Sequence, residues 1–453
     1  MKTALHKPDG RVRVSKSYKS KYLKLALREL AYKLFAPRIE LGIKDGRLVG
    51  KARGLTGPIF QPLLDKVVEK QNKAKPIAIE NGSFTYTLYH PPYPSPAANR
   101  AIQALVRDKL FGIKTPTTCT LAVTYKCQCR CVHCSADRFI DPNRRELTTD
   151  ELKSVIDQSL DIGVVNVVFT GGEPMLRRDI YELIAHVDKT KAHAMMFTNG
   201  WFLSEENVKR LKDAGLHSLN ISIDHLNAKI HDDLRRLEGC YARAFEGAAR
   251  AREAGILTGI STYATRDNLK DGSLEGLLQL AQREGFHEVT IFDCMPAGRF
   301  LRQESVLLSP AERAEIVKMA RRYVAMDHPM GVIAQSWINS PIGSGCFGGQ
   351  FQFYMTAYGD INPCDFNPIT FGNVREMPLR DIWRKMITHP EYEGRKRSCR
   401  IQNPYYRAHY IRTVSDNQKL PIPIEQFEPV RVQDITTIPE LEQAKTEEPT
   451  KTR

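Results

Sequence analysis

The chain has 453 residues, 42% apolar and 26% charged, proportions ordinary for a soluble globular protein of two or three domains with at least one large core. No apolar run approaches the roughly 20 residues that span a bilayer. The opening MKTALHKPDGRVRV breaks its short apolar stretch with His6, Lys7, Pro8 and Asp9, which argues against a secretory leader and makes a cytoplasmic location the expectation.

The net charge of +14 is unevenly spread: residues 1–40 carry eleven Lys/Arg against Asp9, Glu29 and Glu40. Such a segment suits nucleic acid, an anionic membrane surface or an acidic peptide; nucleic acid is not expected as a partner of the whole chain. Residues 16–36 read as a helix. Leu23, Leu27, Leu30 and Leu34 form one stripe, Lys21, Lys24 and Arg28 lie opposite, and Leu25, Tyr32 and Phe35 fall off it. Two readings follow: a helix docked on the body with a solvated basic face, or a basic helix lying in a membrane interface, so that the protein is peripheral to the membrane.

Ile77 and Ile79, then Asn81-Gly82, then Phe84, Tyr86 and Leu88 predict a hairpin. The following HPPYPSP, 90–96, marks a boundary segment. From residue 118 strand-like runs alternate with helical ones: strands at 120–125, 164–169, 194–198, 218–223, 257–263 and 289–293, with helices at 149–162, 179–189, 204–214, 241–254 and 273–284. That alternation predicts βα units and a parallel sheet. Periodicity does not choose between a doubly wound sheet and a partial barrel. After a helix at 310–326 the alternation ends. Short aromatic strands (351–354) and a helix near 378–387 suggest a smaller appended module, and 412–453 reads as a loosely packed tail.

Ten cysteines in a cytoplasmic chain favour metal ligands over disulfides. At the end of the first strand of the alternation stands YKCQCRCVHCSAD, 125–137, spacing Cys127, Cys131 and Cys134 as C-x3-C-x2-C. Three thiolates on one loop can each take one iron of a cubane cluster, leaving the fourth iron open. Zinc is the competing reading, with His133 beside Cys134. Cys129 interrupts the motif, and its side chain is expected to point away.

C-x3-C-x2-C after the first β-strand, with an aromatic residue before the last cysteine, resembles the radical S-adenosylmethionine (SAM) superfamily. The resemblance continues through 118–300: Gly171, Gly172, Glu173 and Pro174 end the second strand, Asn199 follows the third, Ser222 and Asp224 the fourth, and Met295–Arg299 the sixth. It implies an α/β fold, a partial (β/α)6 TIM-like barrel. It also implies a catalytic 4Fe–4S cluster on Cys127, Cys131 and Cys134, and SAM held by the strand-end residues, with the GGE segment on the methionyl amino group. Reductive cleavage of SAM to a 5′-deoxyadenosyl radical, hydrogen abstraction from a substrate, and a low-potential donor such as ferredoxin or flavodoxin are likewise implied. Each later motif alone could be an ordinary strand-end turn or cap.

Downstream, Cys346 is followed after twelve residues by Gly359, after four more by Cys364, and later by Cys399. This text resembles the SPASM auxiliary-cluster module or its shorter twitch form, which implies one auxiliary 4Fe–4S cluster. The alternative is three buried, inert cysteines. Cys119, Cys240 and Cys294 are assigned to packing, with a hydrogen-donor role open for Cys294.

The expected division is an N-terminal helix and hairpin extension (1–115), the barrel (116–305), the auxiliary module (306–411) and the tail (412–453). The catalytic residues beyond the cofactor ligands are not readable. A small-molecule, cofactor or lipid substrate is favoured slightly over a ribosomally made peptide, which the hairpin could bind by strand addition. A non-catalytic iron–sulfur or zinc protein is the reading from another class.

Overall fold

The computed structural model describes residues 16–415 and 417–447. The basic residues Lys2, Lys7, Arg11 and Arg13 and the stretch read for a leader lie outside the described residues. The N-terminal part contains α1 (Lys16–Phe35), the hairpin β1 (Arg38–Lys44) and β2 (Arg47–Arg53), α2 (Gly57–Lys73), the short hairpin β3 (Ala78–Glu80) and β4 (Ser83–Thr85), and α3 (Pro96–Phe111). Ile39, Leu48, Phe60, Leu64, Ile102 and Val106 form its own small core.

The alternating region follows as β5 (Thr118–Thr124), α4 (Thr149–Ile162), β6 (Asn166–Gly171), α5 (Ile180–His186), β7 (His193–Thr198), α6 (Glu205–Asp213), β8 (Ser218–Ser222), α7 (Ala228–Arg235), α8 (Cys240–Glu253), β9 (Leu257–Ala264), α9 (Arg266–Lys270), α10 (Ser273–Arg283), β10 (Glu288–Asp293), α11 (Pro310–Ala325) and β11 (Gly331–Ala334). Local chemistry sets the boundaries: Thr148 and Glu151 form a reciprocal capping box at the start of α4, and Gly163, left-handed at φ +111°, ends it.

All seven strands are parallel, each beside its predecessor in the chain. A doubly wound sheet reverses its order at a switch point; strictly sequential order belongs to the barrel class. The barrel stays open. The free edge of β5 pairs in parallel with β12 (Gln352–Met355), which in turn pairs antiparallel with β13 (Ile361–Asn362), completing a nine-stranded sheet.

Three expectations need correction. The alternation does not end with the helix at 310–326, because β11 follows it as a further parallel strand beside β10, beyond the barrel boundary drawn at 305. The tail is not loose over its described part: Leu441 and Ala444 of the helix Pro439–Thr446 are fully buried against α11, and Ile422, Ile424 and Val432 enter the core. In α1 the leucine stripe does not dock. Leu25 and Tyr32, which sequence periodicity placed off the stripe, face the body, while Leu23, Leu27, Leu30 and Leu34 are exposed.

The hairpin at 78–85 leads into a plug. Leu88, fully buried among Val168, Met195 and Leu257, closes the N-terminal end of the barrel. Its N–H donates to the Glu288 carboxylate at 3.3 Å, and its carbonyl meets His193 Nε2 at 3.1 Å. Among the described residues no helix is long and apolar enough to cross a membrane.

Candidate active site

The cysteine loop 127–134 leaves the C-terminal end of β5 and is clamped from three sides. First, the Gly172 N–H donates to Thr124 O at 2.7 Å and the Glu173 N–H to Lys126 O at 2.8 Å. A Cβ on Gly172 would stand 2.3 Å from Lys126 O, so glycine is what lets the second strand end lie against the loop. Second, the N–H groups of Arg130 and Val132 donate to the carbonyls of Arg235 and Leu234 at the end of α7. Third, the Arg299 N–H donates to Cys134 O at 3.1 Å and its side chain pairs with Asp137 at 2.8 Å, while a Cβ on Gly298 would meet Cys134 O at 2.0 Å. The Met295–Arg299 segment is thus a clasp on the cysteine loop.

Cys131 is buried, Cys134 half-buried and Cys127 exposed. Cys129 does not point away, as its position in the motif suggested. Its thiol lies in contact with those of Cys127, Cys131 and Cys240, because the loop turns inward over the start of α8. Arg235 forks onto Asp224 at 2.6 and 2.9 Å and sets Nη1 3.7 Å from Cys131 Sγ. Burial would raise the Asp224 carboxyl, but Arg235, His133 and His231 hold it at about 2. His133 stacks on Tyr263 with ring centroids 4.1 Å apart, and burial lowers its pKa to about 4.

Glu173 is fully buried. It accepts from the N–H groups of Met175 (3.1 Å) and Asn199 (2.8 Å) and from the Thr198 hydroxyl (2.8 Å). Burial raises it to about 7 despite these donors. Its carboxylate ties the ends of β6 and β7 together. Asn199 Oδ1 accepts from Gln128 Nε2 and from the Trp201 N–H, each at 3.0 Å; Ser222 Oγ stands 3.4 Å from Ser261 Oγ.

The second cysteine set is built where the C-terminal module meets β5. The Cys346 N–H donates to Lys396 O and the Cys399 N–H to Asn339 O, both at 3.0 Å. Cys364 follows the hairpin of β12 and β13, whose turn uses Gly359 at φ +92° and Asp360, itself forked by Arg144 at 2.7 and 3.0 Å. Burial raises the Cys364 and Cys399 thiols, and the charge of Cys346 acts on both. Asp293, at the end of β10, accepts from Ser336 and Gln402, which locks the module to the barrel.

One cavity of about 1070 Å³ joins these parts. Cys127, Cys131, Cys134, Cys346, Cys364 and Cys399 all line it, and so do Gly171, Gly172, Asn199, Ser222 and Asp224. Glu173 and Pro174 do not; they lie behind the wall as braces. Sequence reasoning missed Arg235, the His133–Tyr263 stack and Cys240. Arg235 stands in the charged run HDDLRR, which spacing alone cannot resolve, and the other contacts are between distant segments.

The residues present fit an iron–sulfur group: free thiols on a glycine-cradled loop, facing a large cavity, with one fixed cation beside them.

An open parallel barrel with this loop at its C-terminal mouth and a cysteine-bearing module beside it defines the class, and the chain belongs to the radical SAM superfamily. The superfamily model matches residues 121–281, and an iron–sulfur cluster-binding domain model, SPASM, matches 346–402. The chain is 31% identical over 313 residues to the AdoMet-dependent heme synthase of Nitratidesulfovibrio vulgaris, covering 62% of this chain and 85% of that protein. It is 26% identical over 292 residues to the PqqA peptide cyclase of Granulibacter bethesdensis, covering 62% and 77%. In fold it is similar to Streptococcus suis SuiB bound to S-adenosylmethionine, with a TM-score of 0.51, 17% identity and coverage of 66% of this chain and 72% of that one. The protein is therefore a radical SAM enzyme with a SPASM module. Its cofactors are SAM, a 4Fe–4S cluster and auxiliary iron–sulfur, and it works with a reductant and a substrate.

Proposed function

We propose that Cys127, Cys131 and Cys134 hold the catalytic 4Fe–4S cluster, that Cys346, Cys364 and Cys399 hold an auxiliary 4Fe–4S cluster, and that the cavity between them receives a small-molecule, cofactor or lipid substrate. The observation that carries this reading is that a single cavity is lined by both cysteine sets. When bound, the catalytic cluster and SAM supply a carbon radical that takes hydrogen from an unactivated C–H bond. The chain's own part is placement. Gly171 and Gly172 bring side-chain-free backbone to the cavity wall, Asn199, Ser222 and Asp224 offer polar atoms at the strand ends, and Glu173 and Pro174 brace them. Arg235 holds positive charge against Cys131, which stabilises thiolate. The plug at Leu88 and the module over β5 limit water entry.

The heme synthase relatives, at 28–31% identity, support a cofactor-like small molecule. The peptide cyclases, at 26–28%, support peptide maturation as the second reading. A ferredoxin or flavodoxin is the proposed electron donor, and an anionic membrane the proposed neighbour of α1. The proposed division runs 16–115 for the extension, 116–334 for the barrel, and the remainder for the auxiliary module with its packed tail.

Anaerobic reconstitution tests the core of this. About eight irons per chain and reductive formation of 5′-deoxyadenosine are expected. Replacing Cys127, Cys131 and Cys134 by Ala should remove one cluster and all cleavage; cleavage that survives the triple change refutes the ligand assignment.

A further inference from the structure

Helix α1 is mounted with its apolar side outward. Its inner side is held by a buried Leu25 and by Tyr32 against Phe111 (5.4 Å), with Arg107 over the Tyr32 ring at 4.6 Å. Polar ties complete the mounting: Arg28 to Gly112 O at 3.2 Å, Glu29 to Arg384 at 2.7 Å and Lys21 to Glu393 at 2.7 Å. The outer side shows Leu23, Leu27, Leu30 and Leu34 at 63%, 59%, 54% and 64% exposure. These four leucines run about 17 Å along the helix. The Thr56 hydroxyl bonds Phe35 O, bringing Leu55 (85% exposed) and Ile59 (69%) to the helix end. Scattered exposed leucines are ordinary; a continuous stripe of this kind marks an interaction surface.

Charge selects the occupant. Residues 16–56 carry eleven Lys/Arg against Glu29, Glu40 and Asp45, and Glu29 and Glu40 are already paired with arginines. A second copy would set one basic face against another. An anionic phospholipid surface satisfies leucines and cations together.

The position of the face adds a purpose. The mostly apolar cavity that reaches the cysteines also includes Lys109, Lys114 and Arg395 in its lining, and Lys109 and Arg395 are exposed. Lys114 Nζ donates to the carbonyls of Tyr392 and Glu393 at 2.9 and 2.6 Å. The anchors of α1, Gly112 and Glu393, stand within three residues of the lining residues Lys109, Lys114 and Arg395, which brings the helix next to this part of the cavity wall. We propose that the outer face of α1, with Leu55 and Ile59, seats the enzyme on an anionic membrane, and that an amphiphilic substrate passes from that membrane into the cavity beside α1. This rests on the reading of the cavity as the active site.

Flotation of the full chain with phosphatidylglycerol/phosphatidylcholine vesicles, and with phosphatidylcholine alone, tests the seat. Salt-sensitive binding to the anionic vesicles is expected, at least about tenfold weaker for Leu27→Gln/Leu30→Gln/Leu34→Gln. Iron content and SAM cleavage of that variant should match the parent, since glutamine keeps the helix and the leucines are far from the cysteines. Absence of flotation, equal flotation of the variant, or a leucine-dependent dimer in sedimentation overturns the proposal. A photoreactive fatty acid in the same vesicles should label the cavity wall at Ala101–Leu105. Labelling confined to α1 overturns the passage. Flotation with no 5′-deoxyadenosine formed would instead locate the failure in the active-site reading.

Discussion

Asp224 and Arg235 meet through two parallel hydrogen bonds, of 2.6 and 2.9 Å, with the carboxylate almost wholly removed from solvent. The same guanidinium reaches 3.7 Å from Cys131 Sγ, and the backbone carbonyl of Arg235 accepts from the Arg130 N–H. One pair therefore fixes both the charge and the backbone of the cysteine loop. Arg235→Lys keeps the charge and loses the fork. Reductive SAM cleavage is expected to fall at least about tenfold, with an altered electron paramagnetic resonance spectrum of the reduced cluster. Arg235→Leu leaves a buried carboxylate unpaired and should cost about 3–5 kcal/mol of stability, read by thermal unfolding. An unchanged spectrum and rate in Arg235→Lys would remove the pair from the machinery.

Gly172→Ala tests the clamp between the second strand end and the loop. The new methyl would stand 2.3 Å from Lys126 O and 2.7 Å from Tyr125 O, both backbone atoms that cannot swing aside. The strand end must move off the loop. Iron retention after reconstitution should drop by about half, the loss of one cluster of two, and SAM cleavage with it. Normal iron content in this variant would show that the loop tolerates displacement.

Much of the barrel was legible because parallel strands buried on both faces read as apolar runs between helices, and the strand-end motifs stand at fixed places in that grammar. What was not legible came from contacts between distant segments. The outward mounting of α1 depends on Tyr32 finding Phe111 and Arg28 finding Gly112, and periodicity knows nothing of either. The packed tail depends on α11 offering a face to Leu441. Glu173 was readable as a motif residue, yet its role as a buried brace needed the positions of Thr198 and Asn199. Cys129 was readable only as an intruder in the motif; the turn of the loop over Cys240 decides its surroundings.

The auxiliary set separates from the catalytic one by substitution. Cys346→Ala/Cys364→Ala/Cys399→Ala should lower iron from about eight to about four per chain while leaving SAM cleavage measurable, because the first loop is held by β6, α7 and Met295–Arg299 rather than by the module. Mössbauer spectra of the variant should show a single cluster population. If cleavage vanishes together with all iron, the two sites are one folding unit and the assignment of independent clusters fails.

Glu288 provides a pH signature far from the cysteines. It lies at the base of the barrel, 1% exposed, with the Leu88 N–H at 3.3 Å. Burial raises its pKa to about 8, well above the usual 4.5. Below about pH 4.5 the folded and unfolded chains both hold this proton, and burial carries no ionisation cost. Between about 4.5 and 8 the folded chain holds a proton that the unfolded chain has released, so stability falls as pH rises through this window, by a total on the order of 5 kcal/mol. Glu173, raised to about 7, slopes the same way over a narrower range. Glu288→Gln keeps an acceptor for Leu88 and cannot ionise. Its melting temperature should match the parent near pH 4.5 and exceed it by several degrees at pH 8.5, with the residual slope belonging to Glu173 and the other titrating groups. Parallel melting curves for the two proteins across this range would mean that Glu288 is charged and solvated in the folded chain, and that the plug at Leu88 does not seal the barrel.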